Sequence, residues 1–118
     1  KSDKQLVKLQ DHLKAKGFED IEVVYKDHLD PSAIAMNARV VKACMKGSID
    51  VYDKEPDVWP WSPGASANGF FNEVVGVPST SGPGVSYDGS NYHAPNENIR
   101  IPDFVGGAKH MAAMIGRF

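Results

Sequence analysis

Leu6, Leu9 and Leu13 recur at three- and four-residue intervals, the spacing of one helical face. Ser2 and Gln5 stand at capping-box distance ahead of them, and Gly17 supplies a stop, so the pattern predicts a first helix from Ser2 to about Lys16. Ile21-Glu22-Val23-Val24-Tyr25 then changes to a short β-prone run. After the turn Leu29-Asp30-Pro31-Ser32, the spacing of Ile34, Ala38, Val41 and Met45 predicts a second helix ending at Gly47. The last element is the plainest. Pro102 suits the first helical position, Asp103 complements the helix dipole, and Phe104, Ala108, Met111, Ala112 and Ile115 form an apolar stripe. Gly106-Gly107 weakens that helix by roughly 1 kcal/mol per glycine relative to alanine, which close packing against a neighbouring strand would explain.

Between these elements the patterning is poorer. Pro56, Pro60 and Pro63 rule out a central strand around Trp59 and Trp61. A short helix is predicted from Ala65 to Glu73 and a brief buried strand over Val74-Val75-Gly76-Val77-Pro78. Ser79 to Asn91, rich in Gly, Ser and Pro, reads as loop. Helices alternating with short strands give an α/β expectation, without internal repeat.

Composition narrows the function classes. The 118 residues suit one ordinary domain, and a net charge of −2 with no basic block argues against nucleic acid. No apolar run reaches the ~20 residues of a membrane span. The lone Cys44 excludes an intrachain disulfide and points weakly to a reducing, cytoplasmic setting; its place in a helix-like apolar run reads as a small buried hydrophobe. Lys1 is not an initiator Met and a helix opens at once, which suits a segment cut from a longer protein.

One stretch carries candidate chemistry. Asp88-Gly-Ser-Asn-Tyr-His93-Ala-Pro-Asn96-Glu97 holds a histidine in a loop fenced by turn residues, ahead of the last helix. A histidine ligand needs a fixed tautomer and orientation. Gly89 and Pro95 restrict this loop, and Asn96 or Glu97 can hydrogen-bond neighbouring backbone. The pattern alone leaves two readings open, a metal ligand and a solvent-facing loop histidine. Elsewhere, His28 with Asp27 and Asp30 reads as turn and cap chemistry, His12 as a solvated face, and His110 as either a polar face or support for a site. Trp59 and Trp61 could line a pocket or be buried at a domain edge.

The run Tyr92-His93-Ala94-Pro95-Asn96-Glu97-Asn98-Ile99-Arg100-Ile101, followed by Asp103-Phe104 and Gly107-Ala108-Lys109-His110, resembles the C-terminal end of the dinuclear-zinc metallopeptidase family of carnosinase-type dipeptidases, glutamate carboxypeptidase, aminoacylase and succinyl-diaminopimelate desuccinylase. Upstream, residues 5–25 resemble the last helix and strand of that family's inserted α+β lid domain, and residues 31–46 the return into the catalytic domain. Residues 56–71 resemble the strand and substrate-side glycine loop, and Gly76-Val77-Pro78 the strand after it. The resemblance implies an α/β chain with two parts: residues 1–29 as the end of the lid or dimerisation domain, and 30–118 as the C-terminal part of a zinc-exopeptidase catalytic domain. It implies two Zn²⁺ per active site, with His93 as the one ligand carried here and all other donors upstream. Bound zinc lowers the pKa of water to about 7 and polarises a carbonyl. Gly64 and Ser66 would face substrate, and Asn96 and Glu97 would brace the His93 loop.

Two departures from the family pattern bear on substrate. Gly64-Ala65-Ser66-Ala67 stands where Gly-Ser-x-Pro is usual, so an alanine replaces a carboxylate-binding hydroxyl that Ser66 could supply after a backbone shift. Pro31-Ser32-Ala33-Ile34-Ala35 lacks the arginine of Pro-Ser-Arg-x-Pro. The expectation is metal-dependent hydrolysis of an amide bond in a dipeptide, peptide C-terminus or N-acyl amino acid. The remaining N-terminal polypeptide would be an obligatory partner, this segment alone would be inactive, and a homodimer would form through the lid. The rival expectations are a non-catalytic relative that binds a peptide or partner, and a self-standing small domain without chemistry.

Overall fold

The computed structural model describes residues 2–62 and 64–118; Lys1 and the Pro63 of the proline-rich run lie outside them. Its elements are α1 (Ser2–Ala15), α2 (Arg39–Tyr52), a single α-turn α3 (Asn68–Phe70) that runs on as a π-turn (Phe71–Val75), and α4 (Ile101–Ile115). Among the described residues there is no strand, so an α/β layering is not formed within them. Ile21 to Tyr25 is irregular and mostly exposed. A β-prone sequence becomes a strand only with a partner backbone to close the ladder.

Local chemistry explains most boundaries. At the end of α1, Gly17 adopts φ 77°, the Phe18 N–H donates to the Leu13 carbonyl at 2.9 Å and the Gly17 N–H to that of Lys14 at 3.1 Å. These are the paired bonds of a Schellman cap. The start differs from the expected capping box. The N–H and Oγ of Ser2 both donate to Asp30 Oδ1, at 2.8 and 2.9 Å, so the cap comes from 28 residues away. Those bonds hold the Asp30 carboxyl below its usual pKa, the backbone bond contributing most.

The second helix is displaced from its expected span. Ala38 is extended after a turn closed on Ala35, so Ile34 and Ala38 are half-buried without being helical. Gly47 does not end α2, which continues to Tyr52 and closes on Asp53 at φ 49°. Gly47 is there for space, since a Cβ would lie 3.1 Å from the His110 ring and 3.2 Å from the Met114 nitrogen. The strand expected over 74–78 is also replaced. Val74 and Val75 continue the π-turn, and Gly76 at φ 73° stops it, its N–H donating to the Phe71 carbonyl. With a left-handed glycine next, two valines end a helical stretch as readily as they make a strand.

The core sits between α2 and α4, the one pair of long helices in contact among the described residues. Val40, Val41, Ala43, Gly47 and Ser48 are buried from α2, and Gly107 and His110 from α4. Close packing at Gly106-Gly107 is real, but its partners are the Tyr52 ring, 3.1 Å from a Cβ at Gly106, and Val85 of the irregular segment before the His93 loop, 2.8 Å from a Cβ at Gly107. The apolar stripe of α4 points elsewhere: Phe104 is 57 % and Ile115 65 % exposed, and Ala108, Met111 and Ala112 are exposed with them. The molecule is correspondingly open. Its radius of gyration is 18.9 Å, against about 13–14 Å for a compact domain of this length. Its accessible surface is 9438 Å², against roughly 6,300 Å² expected from its mass.

Candidate metal-ligand loop

The loop from Tyr87 to Asn98 leads into α4 and is closed by its own hydrogen bonds. Ser90 is 3 % exposed; its Oγ accepts the Tyr87 N–H at 2.8 Å and its own N–H donates back to the Tyr87 carbonyl at 2.9 Å. The Asn98 N–H donates to the Ser90 carbonyl at 3.0 Å. The Asn98 side chain accepts the Tyr87 hydroxyl at 2.7 Å and donates to the carbonyls of Gly89 and Asn96 at 3.1 and 3.0 Å. A carbonyl can only accept, so this pattern fixes which end of the amide is Nδ2. Gly89 has no side chain because the Tyr87 ring covers it, 2.6 Å from where a Cβ would stand. The Arg100 guanidinium lies 4.3 Å from the Tyr87 ring centroid and pairs with Asp103 in the first turn of α4. The loop is thereby tied to the helix pair.

His93 is displayed at the exposed side of this loop. It sits at φ 58°, between Asn91 at φ 50° and Asn96 at φ 63°. Asparagine and histidine are among the side chains that enter the left-handed region most readily. The His93 ring rests against Tyr92, centroids 4.2 Å apart. An exposed imidazole on a hydrogen-bonded loop suits one coordinating nitrogen. It does not suit a complete centre: among the described residues no three His, Cys, Asp or Glu side chains come together as metal donors. The donor set fits one ligand of a shared site.

The other sequence-singled residues fall in separate places. Asn96 takes part through its backbone carbonyl and Glu97 is exposed beside it. Gly64 and Ser66 are exposed on the segment before α3, where the Gly64 N–H donates to Ser62 Oγ and the Asn68 N–H to Ser66 Oγ, both at 3.3 Å. That segment is anchored by Asn72, whose amide donates to Ser32 Oγ at 3.0 Å and accepts the Ser79 N–H at 2.6 Å. It is not joined to the His93 loop by a hydrogen bond among the described residues. Trp59 and Trp61, at 77 % and 73 % exposed, are not buried at a domain edge in this chain. Asp27 accepts the His28 N–H at 2.7 Å and Asp30 caps α1, so both aspartates do turn and cap work.

His110 is buried support for the helix pair. Its Nε2 lies 2.7 Å from the Cys44 carbonyl, which must accept, so Nε2 carries the proton. Tyr52 meets its ring edge-on, centroids 5.7 Å apart. Cys44 is half-buried and burial raises its thiol pKa, as befits an inert thiol rather than a nucleophile. Sequence reasoning missed Tyr87, Ser90 and Asn98. Their signal was faint, because a buried serine and an asparagine hub look like ordinary loop residues until the backbone is known.

No helix among the described residues is long and apolar enough to cross a membrane. No family model and no curated protein matches the chain. A solved structure does: the M20 family metallo-carboxypeptidase Sso-CP2 from Sulfolobus solfataricus, at 34 % sequence identity and a TM-score of 0.83 over 95 % of this chain. The chain spans 26 % of that relative's length. At this identity and overlap, the chain has the fold of about one quarter of an M20 metallo-carboxypeptidase.

Proposed function

We propose that this chain is the C-terminal part of an M20-type metallopeptidase and that His93 gives one nitrogen to its metal centre. The match to a metallo-carboxypeptidase over 95 % of the chain carries the proposal. The open surface and the absence, among the described residues, of three metal donors grouped together support a chain that works inside a longer polypeptide. Residues 1–29 would form the end of the lid or dimerisation domain and 30–118 the C-terminal part of the catalytic domain, with a homodimer formed through the lid and a cytoplasmic setting. The substrate class is an amide bond next to a free carboxylate, in a dipeptide, a peptide C-terminus or an N-acyl amino acid. The metal, zinc in this reading with two ions per site, would supply Lewis-acid polarisation and an activated water. The chain's own part is to hold the His93 imidazole in place and to offer the Gly64–Ser66 backbone and the Ser66 hydroxyl to the substrate.

The test is metal analysis of the full-length protein, with hydrolysis of dipeptides and N-acyl amino acids, wild type against His93→Ala. Loss of bound zinc and of hydrolysis together is the expected result. Unchanged zinc content in the variant removes His93 from the centre. A wild type that binds peptide but hydrolyses none of these substrates supports the non-catalytic relative instead.

A further inference from the structure

The hydrogen bonds around His93 converge on a residue three positions past the loop's proline. Asn98 uses every polar atom of its amide: Oδ1 receives the Tyr87 hydroxyl, and Nδ2 reaches the carbonyls of Gly89 and Asn96, which bracket His93 in sequence. Its backbone N–H adds a fourth bond, to Ser90 at 3.0 Å. Gly89 and Asn96 lie on the two arms of the loop, so the amide works as a clasp between them. The clasp is backed on its other side by Tyr87, which Arg100 holds against the start of α4.

We infer that Asn98 is a positioning residue for the metal centre: its amide closes the Tyr87–Asn98 loop and so fixes the direction in which the His93 imidazole is presented. The inference rests on the proposed role of His93 as a ligand. It adds that the orientation is set by a side chain that never touches the metal. The chemistry requires an amide at this position. A carboxylate of the same shape would turn an oxygen toward two carbonyl oxygens, and like partial charges would open the clasp.

The experiment measures the zinc affinity of the full-length protein by chelator competition, alongside the melting temperature of the metal-free form. Outer-shell partners of metal-bound histidines are worth roughly 10–100-fold in affinity. Asn98→Asp is expected to lose about that much, at least as much as Asn98→Ala, and Tyr87→Phe a few-fold, because it removes one bond of the clasp. A role in filling space alone predicts the opposite order, with the isosteric Asn98→Asp closest to wild type. Folded Asn98→Asp protein with wild-type zinc affinity overturns the inference. If that variant does not fold, Tyr87→Phe decides: a few-fold loss of affinity at unchanged metal-free melting temperature upholds it, and wild-type affinity overturns it. His93→Ala separates the two layers. Retained zinc in that variant sinks the ligand assignment itself, whereas lost zinc there with normal zinc in Asn98→Asp sinks the clasp alone.

Discussion

Helices α1 and α2 are each 14 residues long and each carries apolar residues at helical spacing, yet α1 buries no residue while α2 buries five. The difference lies in what faces them. α2 meets α4 across a surface of small residues, where Gly47 and Gly106 let backbone and rings approach and His110 bonds across. α1 meets only its own trailing segment: Leu13 and Phe18 share a shallow groove with Ile21 and Val23, and Asp30 ties its first residue down. Apolar side chains on α1 are at most half-covered and those on the outer face of α4 are exposed, whereas the close contacts are made by glycines and a histidine. An apolar stripe states that a face is to be covered; it does not state by what.

The proposal that the coverage comes from the rest of a longer polypeptide makes the outer face of α4 the most sensitive place to test. Phe104→Ala should lower the stability of the full-length protein by about 3–5 kcal/mol, the cost of emptying a buried aromatic site. Chemical denaturation measures this, and a change below about 0.5 kcal/mol would show the stripe to be a solvent-facing surface. The inner face comes next. His110→Ala removes a ring and a bond to the Cys44 carbonyl, which should cost about 2–4 kcal/mol. It should appear as faster amide exchange in α2 with little change in α1, and equal change in both helices would contradict the separation drawn here.

The weakest tether should show in acid. Asp30 has a folded-state pKa below its ordinary 3.8 because Ser2 donates two hydrogen bonds to it. A depressed folded pKa means that the contribution is complete above the unfolded value, fades as pH falls through about that point and is gone below the folded value. Fraying at the start of α1, followed by amide exchange, should therefore set in only below about pH 4. Asp30→Ala, which deletes the acceptor, should show it at neutral pH; an unaltered acid profile in that variant would remove the tether.

These contrasts also show what the sequence can disclose. Gly17 as a helix stop, Pro102 at the start of α4 and His93 in a turn-rich loop were legible, because each depends on a few adjacent residues. The capping of Ser2 by Asp30, the interior place of Gly47 and the clasp at Asn98 were not, since each joins residues whose proximity only the folded chain creates. The strands expected at 21–25 and 74–78 failed for two reasons. The first has no partner backbone among the described residues, and the second is overridden by the left-handed stop at Gly76. For the candidate site, the ligand-bearing loop could be found from its residues, but the frame that holds it could not.

Ligation by His93 can be followed directly at its two ring nitrogens, by nitrogen NMR in the full-length protein as zinc is added to the metal-free form. If His93 is a ligand, one ring nitrogen shifts to a metal-bound value at the stoichiometry of zinc uptake, while those of His12 and His28 stay where they were. Zinc uptake with both nitrogens of His93 unmoved would contradict it.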